Sequence, residues 1–123
     1  MRVLLVDDEK EFASTLTERL NLRGIEAHCA FDAREALALA DEYTFDVALL
    51  DVKMPGVSGL SLATWLEDKH PGMKFIFLTG HTSEHDLTEG LKRGTFYLLK
   101  PVNIDVLMDK LREAVSGGKD DEQ

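Results

Sequence analysis

Short apolar runs recur along the chain at Val3–Val6, Val47–Leu50, Phe75–Leu78 and Phe96–Leu99, with a weaker one at Ile25–Cys29. Each is too short for a helix, and the first four are apolar on both faces, as in strands covered on both sides. Helical spacing fills the gaps between them. Phe12, Leu16 and Leu20 recur every fourth residue, and Gly24 follows as a stop. Ala33, Ala36, Leu37 and Ala40 mark a second helix with Asp32 as its N-cap. Leu60, Ala63, Trp65 and Leu66 mark a third, which ends before Pro71. Leu87 and Leu91 mark a fourth, weakened by Thr88 and Gly90, and Leu107, Met108, Leu111 and Val115 mark a fifth. Alternating strands and helices predict an α/β fold, a parallel sheet with helices on both faces. The polar stretch from Ser116 to Gln123 reads as a frayed tail or the start of a linker, leaving one domain over residues 1–116.

In such a sheet ligands bind beyond the carboxyl ends of the strands, where strand order reverses. The residues that follow each apolar run therefore carry the chemistry. Asp7 and Asp8 follow the first, Asp51 the Val47–Leu50 run, Thr79 the Phe75–Leu78 run, and Lys100 with Pro101 the last. Three carboxylates, a hydroxyl and an ammonium are thus drawn to one edge from positions 7 to 100. Two like charges ~4 Å apart repel by about 4 kcal/mol at an effective dielectric of 20. A hard divalent cation would offset that repulsion, and few protein oxygens with room for water suit Mg2+. With Thr79 as donor and Lys100 as fixed charge, the edge complements a phosphoryl group, and Asp51, ending a central run, is the candidate nucleophile. Taken singly, each residue has an ordinary reading: Asp7 and Asp8 as helix caps, Thr79 as a turn hydroxyl, Lys100 as a solvated lysine. Their joint placement favours the site.

Composition narrows the class further. The 123 residues carry 23 acids against 14 bases, a formal charge of −9, with 44% hydrophobic and 30% charged residues. No run approaches the ~18 apolar residues of a membrane span. Met1–Val6 leads directly into Asp7, Asp8 and Glu9, unlike a secretory signal, and the lone Cys29 fits a reducing cytoplasm. The acidic balance argues against direct nucleic-acid binding by this domain.

The segments VLLVDDE (Val3–Glu9), ALLDVKMPGVSG (Ala48–Gly59), FLTGH (Phe77–His81) and YLLKPV (Tyr97–Val102) resemble the receiver domain of bacterial two-component response regulators. The resemblance implies a flavodoxin-like doubly wound sheet of five strands, order 2-1-3-4-5, with five helices. It implies that Asp51 accepts a phosphoryl group from a histidine kinase or phosphotransfer protein. Asp8 and Asp51 would ligate Mg2+ directly, Asp7 largely through water, and Lys53 through its backbone carbonyl. Lys100 would neutralise phosphoryl oxygens, Thr79 would bond one, Tyr97 would be the aromatic switch, and the Lys100–Pro101 peptide would be cis. The expected role is a signalling switch in the cytoplasm, not an enzyme with turnover. It would act on a downstream protein or an output domain outside this chain, as a monomer or a weak phosphorylation-linked dimer. An aspartate-nucleophile phosphatase and a phosphorylation-independent interaction module are the alternatives.

GTFYLLKP is one residue shorter than the family pattern before its aromatic, which makes Phe96 a second candidate for the role of Tyr97. Lys53 and His81 stand two residues after Asp51 and Thr79, positions that tune loss of the phosphoryl group in the family. His81, Glu84 and His85 match an H-x-x-E-H zinc spacing, yet only Glu89, Glu113 and Glu122 follow as glutamates. Exposed loop or cap histidines are the plainer reading there. His28 and His70 are expected at the surface, Cys29 as a strand-buried small hydrophobe, and Trp65 and Met73 in core or boundary packing.

Overall fold

The fold is known from a computed structural model, which describes residues 1–80 and 96–120, with side chains through Ser116. Five parallel strands, β1 (Arg2–Val6), β2 (Glu26–Ala30), β3 (Val47–Asp51), β4 (Lys74–Thr79) and β5 (Phe96–Leu99), lie in the order β2-β1-β3-β4-β5. Among the described residues there are four helices: α1 (Lys10–Leu22), α2 (Ala33–Glu42), α3 (Gly59–Lys69) and α4 (Ile104–Asp120). The helix expected around Leu87 and Leu91, the shortened segment before Phe96, and His81, Glu84 and His85 lie outside the described residues.

Alternation along each strand sorts the core into two layers. Val3, Leu5, Val47, Leu49, Ile76 and Leu78 face α1 and α4, meeting Leu16, Leu20, Leu107 and Leu111. Leu4, Val6, Ala48, Leu50, Phe75 and Phe77 face the other side and pack on Ala36, Leu62, Ala63 and Leu66 of α2 and α3. Both faces of β1, β3 and β4 are covered, which is why their sequences are unbroken apolar runs.

Local chemistry sets the helix ends. Gly24 adopts φ +85°, and Gly24 N–H donates to Asn21 O while Ile25 N–H donates to Leu20 O. That pair of bonds is a Schellman stop, so Ile25 closes α1 and β2 begins one residue later. Asp32 caps α2, its Oδ1 accepting from Glu35 N–H at 2.8 Å. Asn103 Oδ1 accepts from the N–H groups of Asp105 and Val106 at the start of α4.

Several expectations need correction. β5 is an edge strand; Phe96, Tyr97 and Leu98 are half-buried and Leu99 is 59% exposed, so this run is not covered on both faces. Trp65 is 47% exposed, because Leu62, Ala63 and Leu66 already fill the inward stripe of α3. Val115 is exposed and Ala114 takes the buried position in α4. The helix also runs on to Asp120, past Ser116 where a tail was expected. His28 is half-buried, stacked on Tyr43 at 4.5 Å, and His70 is half-buried with Nε2 enclosed. Cys29 is a free thiol, partly buried against the α1 layer, and Met73 is core.

Candidate functional site

The register places the chemistry. Val6 pairs with Leu50, so Asp7 and Asp51 emerge together at the adjacent ends of β1 and β3, where strand order reverses. Asp51 pairs with Leu78 and Thr79 with Leu99, which brings Thr79 beside Asp51 and Lys100 just past Thr79. Lys100 N–H donates to Thr79 O at 2.8 Å, and the Lys100–Pro101 peptide is cis. All five strand-end residues singled out above thus meet at one edge.

Asp7, Asp51 and Thr79 are the buried polar residues of the chain among those described, while Asp8 is exposed at the rim. One carboxylate oxygen from each of Asp7, Asp8 and Asp51 lies within 4.8 Å of the others. The Lys100 ammonium, on a side chain 13% exposed, stands 2.7 Å from Asp7 Oδ2 and 3.6 Å from Asp51 Oδ1. Asp7 Oδ1 accepts from Glu9 N–H at 2.9 Å. The capping alternative for Asp7 and Asp8 is not adopted, because α1 begins after Glu9 with no side-chain cap.

Burial, then the charge of Asp7, pushes the Asp51 carboxyl up to about 7 against the opposing pull of Lys100. Asp7 is also raised, because burial outweighs the pull of the Lys100 ammonium and the hydrogen bond from Glu9 N–H. Lys100 is raised above the ordinary lysine range, its carboxylate partners overcoming desolvation. The two buried carboxylates, Asp7 and Asp51, are therefore held in places that disfavour their charge. Asp7 Oδ2 is fully enclosed and accepts no hydrogen bond of good geometry, leaving the nearby ammonium as a Coulombic partner. Hard oxygen donors, crowded and under-satisfied, fit a divalent cation such as Mg2+. Asp7→Asn is accordingly expected to raise the melting temperature of the protein in chelator, and to abolish much of the gain on adding Mg2+. A fall in melting temperature in chelator would contradict the repulsion argument.

Two residues of the site went unnoticed in the sequence. Glu9 Oε1 accepts from Lys100 Nζ at 2.6 Å, and the same ammonium lies 4.7 Å from the centre of the Phe12 ring. Glu9 follows the acidic pair and could have been read as part of it; Phe12 carried only a helix-spacing signal. Tyr97 is half-buried, its ring 5.6 Å from that of Phe77 in the α2–α3 layer. Phe96 points to the opposite layer, under the Lys110 ammonium. Lys53 is exposed just beyond Asp51.

A doubly wound flavodoxin-like sheet with three acids and a lysine where strand order reverses defines an acidic-site α/β domain. The chain belongs to the response regulator receiver domain family, whose model matches residues 3–112. It is 39% identical over 112 residues to the transcriptional regulatory protein CpxR of Klebsiella pneumoniae, covering 90% of this chain and 47% of that protein. The chain thus spans about half the length of that curated relative. Among solved structures, a CheY-like receiver domain protein from Methanospirillum hungatei matches with TM-score 0.88 and 32% identity, covering 98% of this chain and 97% of that one. The response regulator TrrA of Thermotoga maritima, in complex with Mg2+ and BeF, matches with TM-score 0.80 and 32% identity, over 92% and 97% of the two chains. Among the described residues, no helix is long and apolar enough to cross a membrane.

Proposed function

We propose that the domain is a phosphorylation switch in which Asp51 accepts a phosphoryl group from a phosphohistidine on a histidine kinase or phosphotransfer protein. One observation carries this reading: a buried carboxylate held next to two more acids and 3.6 Å from a half-buried ammonium. An Asp51 carboxylate oxygen forms the bond to phosphorus as the P–N bond to the donor histidine breaks, and the leaving imidazole nitrogen keeps the electron pair and takes a proton. Asp8, Asp51 and the Lys53 carbonyl would hold Mg2+, with Asp7 acting largely through water. That ion would neutralise charge on the phosphoryl oxygens. The Mg2+ and BeF bound by TrrA support the assignment. Lys100 supplies a positive charge to the same oxygens and Thr79 a hydroxyl donor.

The aspartyl phosphate is more negative and richer in acceptors than the carboxylate it replaces. It favours the arrangement in which Thr79 and Lys100 close on it, with Tyr97 following Thr79, and so shifts the population of states. A downstream protein or an attached output region in the cytoplasm reads that shift. A transcriptional output is the reading supported by the CpxR likeness. The domain's chemistry is confined to gain and loss of its own phosphoryl group.

Incubation with acetyl phosphate and Mg2+ tests this. A single phosphoryl group, removed by hydroxylamine and not incorporated in chelator, is the expected result. Steady phosphate release from phosphomonoesters would instead indicate an aspartate-nucleophile hydrolase, although Lys53 stands where that class places its second acid. No labelling, and no Mg2+-dependent spectral response to beryllofluoride, would leave a phosphorylation-independent interaction module.

A further inference from the structure

We propose that Glu9 is a positioning residue, a detachable counter-ion that holds the Lys100 ammonium toward α1 until a phosphoryl group on Asp51 claims it. The role rests on Asp51 being the phosphoryl acceptor. Lys100 Nζ lies 2.6 Å from Glu9 Oε1 and 2.7 Å from Asp7 Oδ2, but 3.6 Å from Asp51 Oδ1. The last separation exceeds hydrogen-bond length, and the ammonium's hydrogen bond goes to Glu9 on the α1 side, not to the acceptor. The Phe12 ring, 4.7 Å from Nζ, adds a favourable wall on the same α1 side.

The two strong partners differ in how easily they let go. Asp7 is fully buried, and losing its cation would leave an uncompensated charge out of water. The Glu9 side chain is 63% exposed, so water can replace the ammonium at little cost. Lys100 can therefore give up Glu9, keep Asp7, and turn toward phosphoryl oxygens on Asp51. Glu9 acts without touching the reacting atoms: its hold on Lys100 opposes the phosphorylated arrangement and sets how readily it forms.

Beryllofluoride binding at saturating Mg2+, followed by fluorine NMR, measures this directly. Glu9→Gln is expected to bind about two- to fivefold tighter than the wild type, the range of a partly exposed ion pair. Glu9→Asp keeps the charge but falls short of Lys100, and is expected to behave like Glu9→Gln. Glu11→Gln removes an equal charge from the exposed first turn of α1, away from the ammonium, and is expected to stay within about 1.5-fold of wild type given solvent screening. Unchanged or weaker binding by Glu9→Gln, wild-type affinity in Glu9→Asp, or an equal gain in Glu11→Gln would each overturn the counter-ion role while leaving the switch intact. A wild type that fails to bind beryllofluoride would overturn the switch and the counter-ion role together.

Discussion

Asp51→Asn is expected to abolish labelling by acetyl phosphate and, in chelator near neutral pH, to make the protein more stable than the wild type. Loss of labelling follows from removing the nucleophilic oxygen, since an amide cannot form the acyl phosphate. The stability gain follows from the electrostatics of the edge. In the unfolded chain an aspartate releases its proton near the ordinary value of about 4. In the folded protein burial and Asp7 delay that release to about 7. Between those pH values the native state binds more protons than the unfolded state, so stability falls as pH rises. A shift of this size in a nearly buried group corresponds to on the order of 4 kcal/mol, lost progressively from about pH 4 and fully only about a unit above pH 7. Asparagine carries no charge to repel Asp7 or Asp8. Urea unfolding of both proteins in chelator across pH 4.5–8 should show a wild-type slope that the variant flattens. The raised Asp7 leaves some residual slope in the variant. Labelling that persists in Asp51→Asn would place the acceptor elsewhere. A variant less stable than wild type at pH 7.5 would contradict the crowding argument.

Gly59→Ala is expected to be the most disruptive single-methyl change near the site. Gly59 opens α3 and donates from its N–H to Val52 O at 3.0 Å. A Cβ there would stand 2.2 Å from the carbonyl oxygen of Asp51 and 2.9 Å from its carbon. Both are backbone atoms of the strand that carries the acceptor, so nothing can swing aside. Either α3 moves off the sheet or the Asp51 peptide shifts, at about 3 kcal/mol, the upper part of the overpacking range. A shift of the Asp51 peptide displaces its carboxylate, so slower labelling is expected with lower stability, and a misplacement of ~1 Å can cost about a hundredfold in rate. Two other glycines separate the causes. Gly56 has φ +84° with open space around it, so Gly56→Ala should cost about 1 kcal/mol through backbone strain and leave labelling little changed. Gly72 has neither a crowded neighbour nor a positive φ, and Gly72→Ala should be close to neutral. Chemical denaturation paired with labelling rates measures all three. Wild-type stability in Gly59→Ala would refute the close approach of α3 to β3.

The architecture was legible because a two-faced sheet needs apolar residues at every position. Val3–Val6, Val47–Leu50 and Phe75–Leu78 could be read as central strands without knowing their neighbours. The strand ends then named Asp7, Asp8, Asp51, Thr79 and Lys100 as a group, and the register brings those residues together. Where burial is partial the pattern carried less. Trp65 shares helical spacing with Leu62 and Leu66 only approximately, and a one-residue offset on a helix turns a side chain by roughly 100° toward solvent. β5 read like the other strands, yet an edge strand lacks a neighbour on one side, and composition does not reveal that.

Strand number, the layering of helices, the helix stop at Gly24 and the helix start at Asp32, and the identity of the acidic edge all follow from local rules. These depend on side-chain size, alternation and backbone freedom, which are written in adjacent residues. What depended on three dimensions was which way Lys100 leans, that Glu9 and Phe12 share it, and that Gly59 touches Asp51. Those relations join residues far apart in the chain, or set competing partners against one another across ångströms. Coulomb energy and steric overlap change steeply with distance, so such choices exist only once the strands and helices are packed.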